Sequence, residues 1–131
     1  LHLLKNLKYS IDFLILLQPT SPLRNYKDIE TSLKLSIKKR IKSLVSVTSL
    51  SELKLNLINN SSKEIKILNK KQLSKFKYIN GSIYILKVSD FLTIKKIINS
   101  STKFFYTHKH NSIDIDTKFD FEVAKLLSKK I

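Results

Sequence analysis

Residues 13–17, FLILL, are an unbroken apolar run closed by the polar stretch QPTSP at 18–22. Such a run predicts a strand buried on both faces, as in a parallel sheet. Beyond the loop, Asn25 stands where a helix cap belongs and Asp28 follows three residues on, while Tyr26, Ile29, Leu33 and Ile37 recur at helical spacing. The unit is strand, loop, helix. SLVSV (43–47) predicts the next strand. Leu53, Leu55 and Leu57 alternate, NNSS (59–62) makes a turn, and Ile65 and Ile67 alternate again, so 52–68 predicts a hairpin excursion. NGSIYIL (80–86) predicts a strand entered through the chain's one glycine, Gly81. Ser89 is placed to cap a helix ending near Ile98, with Phe91, Leu92, Ile94 and Ile98 apolar. KFFYT (103–107) and SIDID (112–116) predict two further short strands, and Phe121, Ala124 and Leu127 line a final helix. Strands alternating with helices imply an α/β layered fold.

Composition narrows the class. With 131 residues and 42% hydrophobic content, the chain is one domain or part of one. It opens on Leu1, which is no natural initiator, so a longer reading frame is expected. The opening LHLLKNLKYSIDFLILL superficially suggests a leader, but Lys5, Lys8 and Asp12 interrupt it and no small-residue cleavage site follows. No apolar run reaches the ~20 residues of a membrane span. Without cysteine there are no disulfides, thiolate metal sites or cysteine nucleophile, which agrees with a cytoplasmic setting. The net charge is +15, yet its carriers are 23 lysines and only Arg24 and Arg40. Base and phosphate readers favour the planar arginine fork, and these lysines are scattered along the chain, so charge alone argues against dedicated nucleic-acid binding. The same charge suits a small substrate bearing phosphates.

Candidate chemistry gathers in two places. Pro19 and Pro22 restrict Gln18–Pro22 to a stiff polar loop that loses little freedom on holding a ligand. In SIDID, strand geometry would put Ile113 and Ile115 on one face and Asp114 and Asp116 on the other. Paired carboxylates repel unless a cation lies between them, and Mg²⁺ accepts one or two carboxylates together with phosphate oxygens. An ordinary alternative is that Asp116 or Thr117 caps the last helix and Asp120 completes a capping box. Asn80-Gly81 is equally read as a hairpin turn. His108 and His110 alternate but lack a third ligand, and one glycine cannot build a phosphate-binding glycine loop.

Three blocks in order, LLQPTSPLR (16–24), NGSIYI (80–85) and SIDIDTKFDFEVAKLL (112–127), resemble the CMP-sialic acid synthetases, or acylneuraminate cytidylyltransferases. The resemblance spans essentially the whole chain, although 48–79 match only in outline. It implies an α/β nucleotide-diphospho-sugar-transferase-like (Rossmann-like) mixed sheet with flanking helices, N-terminally truncated, in a single partial domain over 1–131. The implied reaction joins CTP to a sialic-type nonulosonic acid, giving the CMP-sugar and pyrophosphate. By resemblance Asp114 and Asp116 are the catalytic, Mg²⁺-binding carboxylates, and Gln18, Asn80 and Tyr84 match positions that contact the acceptor sugar. Residues 48–75 correspond to a dimerisation excursion, so a homodimer is expected. Tyr78 departs from the family, which commonly has arginine two residues before the N-G, and Lys70 and Lys71 only loosely replace arginines upstream. Lysine keeps the charge but loses the bidentate contact. The family's glycine- and lysine-containing nucleotide loop, which precedes the first block, is not in this sequence, so the chain is expected to be incomplete and inactive alone. A non-catalytic remnant or sugar-binding module is the rival reading, and a basic nucleic-acid-binding fragment is another.

Overall fold

The computed structural model describes residues 4, 6, 10–49, 56–59, 64–67 and 76–129. In chain order the elements are β1 (Phe13–Leu16), α1 (Tyr26–Lys38), β2 (Ser43–Ser49), β3 (Asn56–Asn59), β4 (Glu64–Ile67), β5 (Lys77–Lys87), α2 (Val88–Ile94), β6 (Lys103–Tyr106), a 3-10 turn (Lys109–Ser112) and α3 (Lys118–Ser128). The main sheet has four strands in the order β1-β5-β2-β6. Strand β5 runs antiparallel to both neighbours, and β2 runs parallel to β6. Three strands therefore point one way and β5 points the other. The expected mixed α/β sheet with flanking helices is present.

The core forms where the apolar positions of the strands meet α1. Leu44, Ile83 and Ile85 are buried, with Phe13, Ile15, Phe105 and Ile29, Leu33 and Leu35 of α1 packed on them. Each such aliphatic side chain contributes ~1.5–3 kcal/mol when fully removed from water. The face that α1 buries is not the fully apolar one predicted. Ser32 and Ser36 are its fully buried positions, while Tyr26 and Ile37 are 69% and 56% exposed. Serine is small enough to bring helix and sheet close together. Its hydroxyl needs no outside partner because Ser32 donates to the Ile29 carbonyl at 2.9 Å and Ser36 to the Ser32 carbonyl at 2.8 Å. Asn25 caps the helix as expected, accepting from the Lys27 amide at 2.9 Å.

Several expectations are corrected. β1 is half-buried rather than enclosed on both faces, and it pairs only with β5 among the described residues. The Asn80-Gly81 pair is neither a hairpin turn nor a strand entrance, because it lies inside the 11-residue β5. Ser89 does not cap α2. The Val88 amide bonds to the Asp12 carbonyl at 2.9 Å, so the chain turns directly out of β5 and the helix starts at Val88. That helix ends at Ile94, well before Ile98, where Lys95 adopts φ 56° and its amide closes onto Phe91. Residues 112–116 form no strand: a 3-10 turn ends at Ser112 and an extended segment crosses to the proline loop, held by the Ile115 amide on the Thr20 carbonyl at 2.9 Å.

Other expectations hold. Thr117 and Asp120 form a reciprocal capping box at the start of α3. Strands β3 and β4 pair antiparallel in a separate two-stranded sheet, from Asn56 opposite Ile67 to Asn59 opposite Glu64. Leu53, Leu55, the turn at 60–62, Lys70 and Lys71 lie outside the described residues. Among the described residues no helix is long and apolar enough to cross a membrane.

Burial predicts the stability ledger of this core. Ile83→Ala is expected to cost about 2–5 kcal/mol in urea unfolding, and Ile37→Ala to stay within roughly 0.5 kcal/mol of the parent. Equal costs would show that α1 and the sheet do not pack as described.

Candidate active site

Strand direction decides where side chains can converge. Because β1, β2 and β6 are parallel, their C-terminal ends share one edge of the sheet, and antiparallel β5 brings its N-terminal half to the same edge. Gln18 follows β1, Thr48 closes β2, Thr107 follows β6, and Tyr78, Asn80 and Gly81 enter along β5. Open α/β sheets place ligands at this edge.

The pairing of β2 with β5 is broken here. Val45 lies opposite Tyr84 and Val47 opposite Ile79, so Ser46 alone faces Asn80–Ile83. The surplus residues bulge, and Gly81 takes φ 70°, a left-handed conformation that glycine adopts without strain. Asn80 fills the inside of the bulge and is fully buried. Its Oδ1 accepts from the Ser46 hydroxyl at 2.6 Å and the Ser82 amide at 3.2 Å. Its Nδ2 lies 2.8 Å from Thr48 Oγ1, 2.7 Å from Thr107 Oγ1 and 3.0 Å from Ser112 Oγ. Asn80 thus has no exposed atom, and its amide ties β2, β5, the end of β6 and the 3-10 turn together beneath the cleft.

Above this hub, Gln18 rests against Gly81. A Cβ at Gly81 would overlap the Gln18 amide oxygen, and Asp114 Oδ2 stands 3.6 Å from the same point. Arg24 reaches across, donating from Nε to the Ser82 carbonyl at 2.6 Å and from Nη2 to the Gln18 carbonyl. Among the described residues two buried side-chain oxygens lack a hydrogen-bond partner, Ser21 Oγ and Asp114 Oδ1. They sit on neighbouring segments joined by the bond between Ile115 and Thr20. A buried carboxylate oxygen without a donor is costly, and a cation is a natural partner for it.

The tyrosines report the local field. Burial first, and then the charge of Asp114, hold the Tyr84 phenol above its usual range. Tyr78 is raised by burial, then by Asp114, Asp116, Tyr84 and Asp120. Asp114 therefore lies within electrostatic reach of both phenols, and the more exposed Asp116 acts on Tyr78. Gln18 and Asp114 meet at Gly81, Tyr84 lies within electrostatic reach of Asp114, and Asp116 acts on Tyr78, with Asn80 as the buried floor. The donor set, two carboxylates with hydroxyls nearby, is the hard-oxygen kind that suits Mg²⁺. No group of three or more His, Asp or Glu side chains gathers among the described residues. His108 and His110 stack edge to face with ring centroids 4.8 Å apart and remain exposed. An adjoining open cleft of about 780 Å³, between Pro22–Lys27, Asn111 and Ser128, is lined by Arg24 but by none of Gln18, Asn80, Tyr84, Asp114 and Asp116. The unpartnered Asp114 oxygen lies at the sheet edge, away from that cleft's lining.

No protein-family model and no curated protein matches the sequence. Among solved structures the chain is similar to 4-diphosphocytidyl-2C-methyl-D-erythritol synthase from Anaerococcus prevotii DSM 20548, with a TM-score of 0.61 at 13% identity. The match covers 98% of this chain and 64% of that one. The chain has the nucleotide-diphospho-sugar transferase fold. At this identity the likeness concerns architecture, and donor and acceptor are questions for the site itself.

Sequence reasoning missed two residues here. In the sequence Arg24 is only the end of the block at 16–24, and Tyr78 only a departure two residues before Asn80-Gly81. A signal for Arg24 existed, since it is one of two arginines among 23 lysines and closes the proline loop.

Two outcomes test this geometry. Gly81→Ala should lose about 1–3 kcal/mol in urea unfolding, because the backbone is strained and Gln18 must move. A loss within experimental error would contradict the bulge. The phenols give a pH dependence of known sign. Their folded pKa lies above the unfolded value of about 10, so their contribution is intact below that pH and is lost as pH rises through the folded value. Asp114→Asn should lower the pKa of Tyr84, measured as the tyrosinate absorbance that Tyr84→Phe removes; no change would separate the two residues.

Proposed function

We propose that the chain belongs to a cytidylyltransferase that joins CTP to a sialic-type nonulosonic acid and releases pyrophosphate. The carrying observation is the approach of Gln18 and Asp114 to Gly81, with Tyr84 in the field of Asp114 and one Asp114 oxygen buried and unpartnered. The fold supports the reading, since the solved relative is named for a diphosphocytidyl product. The motif blocks at 16–24, 80–85 and 112–127 supply the acceptor class.

In this reaction the anomeric hydroxyl oxygen of the sugar bonds to the α-phosphorus of CTP. The bond from that phosphorus to the bridging oxygen breaks, pyrophosphate leaves with the electron pair, and the hydroxyl proton passes to solvent. Asp114 and Asp116 would hold Mg²⁺, which supplies charge neutralisation on the phosphates when bound. Gln18 presents its amide to the acceptor from a loop with little freedom to lose. Tyr84, whose phenol pKa is raised by burial and then by Asp114, offers a hydroxyl donor. Asn80 acts from below by holding the bulge and the 3-10 turn in register. The hairpin β3–β4 is the part through which a second copy would dock.

The assay is pyrophosphate release by the full-length protein with CTP, Mg²⁺ and N-acetylneuraminate. Asp114→Asn should lower kcat by about 10²-fold or more with little loss of fold stability, since the amide matches the carboxylate in shape. Near-normal turnover in that variant would remove the carboxylate from the mechanism. Sugar binding without turnover in the parent would favour a binding module.

A further inference from the structure

The guanidinium of Arg24 faces inward. An arginine serving a phosphate or carboxylate ligand presents its planar fork to the ligand, whereas Arg24 directs Nε to the Ser82 carbonyl at 2.6 Å and Nη2 to the Gln18 carbonyl. Those carbonyls belong to the two segments whose side-chain contact makes the site, the proline loop and the β5 bulge. The Gln18 carbonyl also accepts the Ser21 amide at 3.2 Å, closing the loop on itself. Burial lowers the Arg24 pKa from its usual value. The side chain still carries its charge, because arginine is protonated throughout the working range.

We propose that Arg24 is a positioning residue that clamps the proline loop to the bulge of β5, fixing Gln18 over Gly81 beside Asp114, and touches no ligand itself. The clamp deepens the cytidylyltransferase reading by assigning acceptor alignment to a residue outside the pocket, and its acceptor-affinity arm rests on that reading. It works through shape rather than charge. Two carbonyls on separate segments need two donors at fixed spacing, which a guanidinium has and a single ammonium lacks. The contact it guards is narrow, since Gln18 fits only because residue 81 has no Cβ. Small shifts of the loop are therefore felt at the acceptor.

Arg24→Lys and Arg24→Met, in the full-length protein, separate the clamp from a charge effect. In amide hydrogen exchange both variants should lose protection by about tenfold at Ser21 and Ile115, the amides of the loop and of the segment bonded to it, while Val45 and Ile85 in the central ladder keep theirs. In steady-state kinetics both should raise the acceptor KM by roughly tenfold with kcat and the KM for CTP nearly unchanged. Wild-type protection and acceptor KM in Arg24→Lys would overturn the proposal, because charge alone would then suffice. Equal loss of protection at Val45 and Ile85 would overturn it too, making Arg24 a general fold residue. If the parent shows no turnover with CTP and sugar, the functional reading fails and the exchange pattern alone decides the clamp.

Discussion

A buried primary amide must find partners, and the site is arranged around how Asn80 finds them. Five protein groups surround its two polar atoms, supplied by β2, β5, the end of β6 and the 3-10 turn. Leaving one such group unmatched costs about 1–3 kcal/mol, so the hub holds these elements in one arrangement. To place Asn80 inward the β2–β5 ladder must bulge, and the bulge needs the left-handed residue that Gly81 supplies. The missing Cβ is what lets Gln18 lie there. Floor, bulge and loop are consequences of a single interior amide.

Strand direction supplies the rest. Three strands end at the edge where the antiparallel β5 begins, so a proline loop from residue 18, a bulge at 81 and a carboxylate at 114 meet although far apart in sequence. The extended segment through Asp114 is not part of the sheet, and it is held by the Ile115–Thr20 bond on one side and by Ser112 in the hub on the other. This leaves one carboxylate oxygen buried with no donor, and its charge adds to burial in raising the pKa values of Tyr78 and Tyr84. A ligand of positive charge would satisfy that oxygen.

Local patterns were legible where local physics decides. The strands at 13–16 and 43–49 follow from apolar runs, and the Asn25 cap, the hairpin pair and the Thr117–Asp120 capping box are contacts between near neighbours, so the sequence shows them. Residues whose environment comes from distant elements were misread. Ser32 and Ser36 occupy the buried stripe of α1 because their hydroxyls bond back into the helix, which no hydropathy pattern reveals. Asn80-Gly81 has turn chemistry, but the hydroxyls that draw Asn80 inward come from residues 46, 48, 107 and 112. SIDID alternates like a strand, yet β6 has no further strand beside it among the described residues, and the segment crosses to the proline loop. The grouping of Gln18 with Asp114 came from the motif resemblance, and Arg24 needed the geometry.

If, as proposed, the Asp114 oxygen left without a donor is a cation seat, a metal bound together with nucleotide must reach it. Crystals of the full-length protein grown with CTP and Mn²⁺, with anomalous scattering recorded at the manganese edge, test it most directly. The expected result is an anomalous peak in contact with the Asp114 carboxylate and with phosphate oxygens of the nucleotide, on the same edge of the sheet as Gln18 and Gly81. Nucleotide and metal bound together away from Asp114, with its carboxylate still buried and unmatched, would contradict it.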